Sequence, residues 1–181
     1  MQKYFLILTA FILMITNVCY AGSAYTDTYI SFPVKVYIPP HPKAFIVKDA
    51  FAEWIQKTNG RVKVEYIPEQ RRKAASLIFE FVNTIDSSDD TNHTLGTTQR
   101  TYNGRILAYS VIKIGLLDRQ SGKPVSDSSL HYIILHEIGH AFGLNHSNDV
   151  ESIMYYQYNP IIRQTLTKED IADFVRMQRG Y

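Results

Sequence analysis

The sequence has almost no cysteine. Its single cysteine among 181 residues, Cys19, lies near the N-terminus, so the chain cannot form an intramolecular disulfide and depends on its core or on a metal ion for cross-linking. Long apolar runs are also lacking, because the stretch from Tyr4 to Ile15 falls short of the ~18 residues that a membrane span needs. A transmembrane anchor is therefore the weaker interpretation of this segment, and we expect no membrane span.

The chain has no strong excess of charge of either sign. It contains 19 Lys and Arg residues against 17 Asp and Glu residues, which gives a net charge of +2. So small a charge argues against a nucleic-acid partner, and the charged run Glu69–Lys73 is better explained as a solvated loop. The length suits one domain, and the 45% hydrophobic share supplies its core. We expect a monomer.

The N-terminus has the features of a secretory signal peptide. Lys3 supplies the positive start, an apolar run follows, and Ala21 and Ala24 offer small residues for cleavage. The chain then divides into a signal peptide, a short N-terminal segment and one folded domain: residues 1–21, 22–33 and 34–181. The mature protein is expected to be secreted or periplasmic. A lipid anchor on Cys19 is the minority alternative.

The patterning along the chain predicts an α+β domain. Alternating or continuous apolar runs predict four strands: 34–38, 62–67, 75–82 and 105–117. Helical spacing and start signals predict three helices: 43–58, 128–142 and one that follows Thr167. The last helix has a capping box formed by Thr167 and Asp170. The polar segment Asp86–His93 is predicted to be a loop.

Segment 136–146 reads His-Glu-Ile-Gly-His-Ala-Phe-Gly-Leu-Asn-His and begins on the second predicted helix. His136 and His140 lie about 40° apart and one turn up the same face, so their imidazoles can share one zinc ion at about 2.0–2.1 Å. Glu137 lies about 100° round from His136. This places its carboxylate beside the ion, as a general base on a metal-activated water requires.

Gly143 makes the third histidine usable. A continued helix would carry His146 away from the other two, but glycine readily adopts positive φ and ends a helix in a left-handed turn. The chain can then return His146 to the same ion. Three neutral imidazoles leave a fourth position for water, which is the arrangement of a catalytic zinc site. A closed structural site, with Asp149 or Glu151 as fourth ligand, remains the alternative.

The extended motif resembles that of the metzincin zinc endopeptidases, in which a methionine-containing turn follows. Ser152–Tyr155, whose methionine lies eight residues after His146, looks like that turn. Ser147, directly after the third histidine, and the tail Leu166–Ile171 are similar to the matrixins, the matrix-metalloproteinase family. The resemblance covers about residues 34–181.

The resemblance implies a metzincin-like catalytic domain with a twisted mixed β-sheet, an active-site helix, a Met-turn and a C-terminal helix. It implies one catalytic zinc ion with three ligands: His136, His140 and His146. Glu137 would be the general base, and Met154 would pack under the metal site. Tyr158 would wall the pocket for the substrate side chain just after the cut bond. Matrixins usually have proline where this chain has Tyr156, so the pocket wall is expected to differ.

Other matrixin features have no match in the sequence. The latency cysteine is absent, so we expect a short secreted form without that switch. No histidine-rich segment suggests a second zinc ion: His93 is isolated, and His41 and His131 are most simply surface or satisfied core histidines. A calcium site is unsupported, since the aspartates that could form it are more often a solvated loop: Asp86, Asp89 and Asp90.

The sequence therefore predicts a secreted zinc-dependent metalloendopeptidase that acts on protein or peptide substrates. In metzincins the substrate lies extended along an edge strand, for which Leu95–Thr98 is the candidate. One alternative is a zinc enzyme that acts on a non-peptide bond. The other alternative is a non-catalytic, zinc-stabilised peptide-binding or adhesion module. Glu137 weighs against this alternative, because a purely structural site has no need of that carboxylate.

Overall fold

The computed structural model describes residues 13–14, 30–86, 94–158 and 162–178. The strands are β1 (Leu13–Met14), β2 (Val34–Tyr37), β3 (Val64–Tyr66), β4 (Leu77–Val82), β5 (Gly96–Asn103), β6 (Ile106–Gly115) and β7 (Gln157–Tyr158). The helices are α1 (Ala44–Lys57), α2 (Asp127–Ala141) and α3 (Lys168–Gln178), with a 3-10 helix at Glu69–Ala74. The predicted α+β class is confirmed.

The described strands form one five-stranded mixed sheet and one two-stranded pair. The order in the large sheet is β3-β2-β4-β6-β5, with parallel pairs throughout except for the antiparallel pair of β5 and β6. The hairpin between β5 and β6 turns at Gly104, whose φ of +61° suits glycine. β5 therefore lies at one edge of the sheet, with one side of its backbone unpaired within that sheet.

The apolar stripe of α1 packs against α2. It buries five residues: Ile46, Val47, Ala50, Phe51 and Trp54. Phe45, at the start of the helix, is 51% exposed, whereas its neighbour Ile46 is buried. The Trp54 indole N–H donates a hydrogen bond of 3.2 Å to the Leu135 carbonyl of α2. Because this bond lies in the core, it fixes α1 against the helix that carries the histidines.

Side-chain caps define where α2 and α3 begin. The Ser126 hydroxyl accepts a hydrogen bond of 3.2 Å from the Ser129 N–H, so α2 begins one residue earlier than the predicted Ser128. The capping box at α3 is reciprocal: the Asp170 N–H donates to the Thr167 hydroxyl and the Thr167 N–H to the Asp170 carboxylate. Both helix starts are therefore set by local hydrogen bonds.

The charged run Glu69–Lys73 is not the loop that its composition predicts. It forms most of the 3-10 helix, held by hydrogen bonds such as those from the Arg71 N–H to the Pro68 carbonyl and from the Ala75 N–H to the Arg72 carbonyl. Its side chains are exposed, as expected of a solvated segment. The prediction for this run is therefore wrong about the backbone conformation but right about solvent exposure.

Two predicted segments lie largely outside the described residues. Of the predicted signal peptide, the structure describes the backbone of β1, which pairs antiparallel with β7. Of the loop Asp86–His93, it describes Asp86 alone. Within the described part of the chain, none of the helices is long and apolar enough to cross a membrane.

Candidate metal centre

α2 and the turn after it bring three histidines together. His136 and His140 lie one turn apart on α2, which ends at Ala141. Gly143 follows with a φ of +98°, the left-handed conformation that glycine adopts at low cost. The Leu144 N–H then donates back to the Gly139 carbonyl at 3.0 Å. The reversed chain returns His146 to the face of the helix that carries the first two.

The imidazole Nε2 atoms of these residues converge. The His140 Nε2 atom lies 2.9 Å from that of His136 and 3.3 Å from that of His146. Tetrahedral zinc with nitrogen ligands at about 2.0–2.1 Å would separate two such nitrogens by about 3.3 Å. One ligand atom from each of the three residues lies within 4.8 Å of the others. The spacing therefore fits a single ion.

Backbone carbonyls fix the orientation of the two buried rings. The His136 Nδ1–H donates to the Ile153 carbonyl at 2.7 Å, and the His140 Nδ1–H donates to the Leu144 carbonyl at 2.9 Å. Because the proton of each neutral ring is used at Nδ1, the lone pair is on Nε2. This is the outer hydrogen bonding that orients metal-bound histidines in proteins.

Burial keeps these rings uncharged. Desolvation lowers the pKa of His136 to about 4, although the hydrogen bond to Ile153 opposes it. Desolvation also lowers the pKa of His140 well below its usual value, and the two neighbouring histidines add to this. The pKa of His146 is lowered by burial as well. Neutral imidazole is the form that binds a metal ion, so the cluster is in its binding form near pH 7.

Glu137 lies between α2 and the edge strand β5, and it is fully buried. The Thr98 hydroxyl donates to Glu137 Oε2 at 2.6 Å, while Oε1 has no hydrogen-bond partner among the described residues. Burial raises the pKa of Glu137 to about 8, with the Thr98 hydrogen bond acting against that rise. The sequence placed Glu137 beside the metal site but did not predict its contact with Thr98.

Met154 lies in the turn whose Ile153 carbonyl accepts the hydrogen bond from the His136 ring. It is 1% exposed, and its Sδ atom packs against Gly139, between the two helical histidines. The Met154 carbonyl accepts a hydrogen bond of 2.8 Å from the Ser147 N–H, one residue after His146. The turn and the third histidine are thereby tied together at backbone level.

Tyr158 lies beside α2. Its ring centre is 4.5 Å from that of Tyr132, and its hydroxyl lies 3.4 Å from the hydroxyl of Ser129. The Tyr132 ring is in turn stacked 6.3 Å from His136. Sequence reasoning missed Tyr132, although its position one helical turn before His136 is a signal that could have found it. The tyrosine pair therefore adjoins the cluster.

The remaining candidate residues lie apart from this cluster. His131 makes a 3.1 Å contact with Glu53, and His41 stacks on Phe81 at 4.3 Å. Within the described residues the three histidines form the single cluster of this kind, and neither Asp149 nor Glu151 belongs to it. Two of the aspartates considered for calcium, and the isolated histidine of that segment, lie outside the described residues: Asp89, Asp90 and His93.

The α+β fold, with two histidines on a buried helix and a third beyond a glycine turn, defines a domain of the metalloproteinase type. A solved structure shares this fold: metalloproteinase-II from Bacteroides fragilis, which is 12% identical with a TM-score of 0.54. The match covers 93% of this chain and 58% of that one. At so low an identity the likeness concerns the fold alone.

The family is shown by the sequence. The family model of the matrixins, peptidase family M10, matches residues 24–178. The chain belongs to the matrixin family, and the resemblance seen in its motifs is confirmed.

Two curated relatives match shorter stretches. A probable matrix metalloproteinase 095L of Invertebrate iridescent virus 3 is 49% identical over 45 residues, which are 25% of this chain. Interstitial collagenase B of Mus musculus is 35% identical over 65 residues, which are 36% of this chain. The matched regions cover 12% and 14% of the lengths of these two relatives.

Proposed function

We propose that the protein is a zinc-dependent endopeptidase that hydrolyses peptide bonds in protein or peptide substrates. One observation carries this proposal: three neutral imidazoles present Nε2 atoms to a common point. The residue that follows the first of them in the chain, Glu137, has a buried carboxylate that contacts the edge strand β5. Membership in the matrixin family supports it.

The donor set suits zinc. His136, His140 and His146 would hold the ion through Nε2, and the described residues offer no fourth protein ligand in this cluster. Such a site keeps one position for water or substrate. When bound, zinc supplies Lewis-acid polarisation of the scissile carbonyl and lowers the pKa of a bound water toward about 7.

The chain's own residues supply the proton transfer. Glu137 takes the proton of the attacking water and delivers it to the nitrogen of the leaving amine. This step requires Glu137 to be ionised. Burial alone favours the protonated form of this side chain, whereas a neighbouring metal cation favours the ionised carboxylate. The carboxylate therefore becomes a base when the site is loaded.

Substrate orientation comes from β5 and the tyrosines. An extended peptide can pair with the unpaired side of β5 around Leu95–Thr98, because an edge strand offers free backbone donors and acceptors. Tyr158, beside Tyr132, would line the pocket for the side chain after the cut bond. The exposed Tyr156 stands where matrixins usually have proline, so the mouth of this pocket would differ from theirs.

The test replaces Glu137 by glutamine, which keeps the shape and removes the base. Glu137→Gln should retain bound zinc and lose cleavage of a diverse peptide mixture by at least about 100-fold. The matched control, Glu151→Gln, changes an exposed carboxylate and should cleave as the wild type does. Equal cleavage by Glu137→Gln would refute the assignment of the base. Zinc binding without chelator-sensitive cleavage by the wild type would favour a non-catalytic binding or adhesion module.

Export belongs to the same proposal. The positive start, the apolar run and the small residue Ala21 support a signal peptide over 1–21 and a mature protein that is secreted or periplasmic. Expression in a host with an export pathway, followed by mass measurement of the exported chain, tests this. A product that retains residues 1–21 inside the cell would contradict it.

A further inference from the structure

The edge strand β5 contacts the proposed general base through two of its own side-chain positions. Gly96 and Thr98 are two residues apart, so both face the same side of the strand, and that side faces α2. The Thr98 hydroxyl lies 2.6 Å from Glu137 Oε2. A Cβ on Gly96 would stand 2.5 Å from Glu137 Oε1 and 2.8 Å from Glu137 Cγ. The carboxyl group is therefore held by a hydrogen bond at one oxygen, and its other oxygen lies in space that a side chain at position 96 would fill.

The hydroxyl of Thr98 has one proton and two nearby acceptors. It lies 3.0 Å from the Glu137 carbonyl and 2.6 Å from the Glu137 carboxylate. The shorter distance lies at the short end of the range for hydrogen bonds between two oxygen atoms, about 2.5–3.0 Å. The carboxylate is therefore the main acceptor, and the hydroxyl fixes the rotation of the Glu137 side chain.

We propose that Thr98 is a positioning residue for the general base: its hydroxyl holds Glu137 Oε2, and Gly96 leaves the space in which the other oxygen lies. The inference rests on the proposed peptidase function. It adds that the strand which orients the substrate also orients the base, because Gly96–Thr98 belongs to both. Substrate and base are thus aligned by one rigid element.

The test separates the hydroxyl of Thr98 from its shape. Thr98→Val keeps the branched shape and removes the donor, whereas Thr98→Ser keeps the donor. In the zinc-loaded enzyme we expect Thr98→Val to lower kcat by about 10–100-fold, with KM within about twofold of the wild type. Losses of this size are typical when a residue of a metal site loses the hydrogen-bond partner that orients it. Thr98→Ser should stay within about threefold of wild-type kcat. Thr84→Val, at an exposed threonine outside β5, is the matched control and should match the wild type.

A second measurement uses the chelator-treated protein and needs no activity. Thr98→Val should lower the melting temperature by about 3–6 °C when Glu137 is present, since a buried carboxyl loses its hydrogen bond. In a Glu137→Met background the carboxylate is gone and only the backbone carbonyl of residue 137 remains as an acceptor, so the same change should have clearly less effect. Failure of wild-type cleavage would refute the peptidase proposal, whereas this comparison tests the contact independently.

Several results would overturn the inference. Wild-type kcat in Thr98→Val would show that the hydroxyl does not position the base. Equal losses in Thr98→Ser and Thr98→Val would show that packing matters and the hydroxyl does not. Loss of bound zinc in Thr98→Val would assign Thr98 to the stability of the metal site. Equal melting shifts in the Glu137 and Met backgrounds would show that the two side chains are not coupled.

Discussion

The sulphur of Met154 lies directly against the backbone of Gly139. A Cβ at position 139 would stand 2.3 Å from Met154 Sδ, 3.1 Å from its Cε and 3.4 Å from the Trp54 ring. Gly139 is the residue just before His140, on the helical turn that carries both helical histidines. The methionine therefore packs where the absence of a side chain lets it come closest to that turn.

Gly139→Ala should destabilise the protein and weaken its zinc binding. The added methyl group overpacks the contact, which costs about 1–3 kcal/mol, while alanine recovers about 1 kcal/mol through its higher helix propensity. Any shift of this turn also moves the two helical histidines. Denaturant unfolding of the metal-free protein and a zinc competition titration measure the two effects.

Met154→Ala provides the matched background for this prediction. It removes the sulphur, so a methyl group at position 139 has room, and Gly139→Ala should then be neutral or stabilising. An unchanged penalty in the Met154→Ala background would mean that another neighbour, such as Trp54, causes the strain.

Gly143→Ala should separate backbone strain from metal binding. At a φ of +98° an alanine costs about 1–3 kcal/mol, and relief of this strain would move His146 away from the other histidines. We expect lower stability without metal and at least about tenfold weaker zinc binding. Isothermal titration with zinc, alongside unfolding of the metal-free protein, measures both.

Gly60 offers the comparison for this substitution. It has a φ of +74°, nothing lies within 4 Å of the position of its Cβ, and it follows α1 rather than α2. Gly60→Ala should therefore lose stability through strain but bind zinc as the wild type does. Equal zinc affinities for the Gly60 and Gly143 variants would contradict the role given to Gly143.

The parts of the site that could be predicted from the sequence depend on interactions between residues close together in the chain. The spacing of His136 and His140 is set by the helical repeat, and the return of His146 by one glycine with positive φ. Both depend on residues within one short segment. The contact of Thr98 with Glu137 joins residues 39 apart in the chain, so no local sequence pattern predicts it.

The helices and strands likewise divide into those that local sequence patterns predict and those that they do not. α1 and β4 were found because their apolar patterns match the structures they form, with small shifts at the ends. Most of β5 was missed, since Gly96–Asn103 reads Gly-Thr-Thr-Gln-Arg-Thr-Tyr-Asn and has no apolar alternation. An edge strand packs mainly on one face, and here glycine and threonine fill that face next to Glu137. α2 is buried nearly all round because α1, β5 and the Met154 turn cover it on several sides.

Asp170→Ala should loosen the turn that contains Ser152 and Met154. The Asp170 carboxylate is 4% exposed and accepts hydrogen bonds from the Ser152 hydroxyl at 2.6 Å and from the Thr167 N–H and hydroxyl at 2.9 Å. The Ser152 oxygen in turn accepts from the Met154 N–H at 2.8 Å. Loss of the carboxylate leaves these donors without their acceptor. It should lower the free energy of unfolding by about 2–3 kcal/mol, which denaturant unfolding measures.

Glu169→Ala is the control for that loss, because Glu169 lies one residue earlier in the first turn of α3 with its side chain 76% exposed. It should change the free energy of unfolding by less than about 0.5 kcal/mol. A similar loss in both variants would mean that charge at the start of α3 matters and that the buried network does not.

The pair Glu53–His131 should make part of the stability depend on pH. The His131 ring N–H donates to the Glu53 carboxylate across 3.1 Å, which joins α1 to α2. This hydrogen bond lowers the pKa of Glu53 below its usual 4.5, although partial burial opposes it. Because the folded pKa is the lower one, the contribution is complete above pH 4.5 and is lost as the pH falls through the folded value.

Glu53→Gln should remove this contribution. We expect the variant to be less stable than the wild type by about 0.5–1 kcal/mol near pH 6, since both side chains are about one-third exposed. The difference should shrink toward zero as the pH falls below the lowered folded pKa of Glu53, where the wild-type carboxyl is protonated too. Denaturant unfolding of both proteins across this range measures it. A difference that stays constant with pH would mean that Glu53 stabilises the helix pair by packing, because the loss of a charged hydrogen bond must disappear when the carboxyl binds its proton.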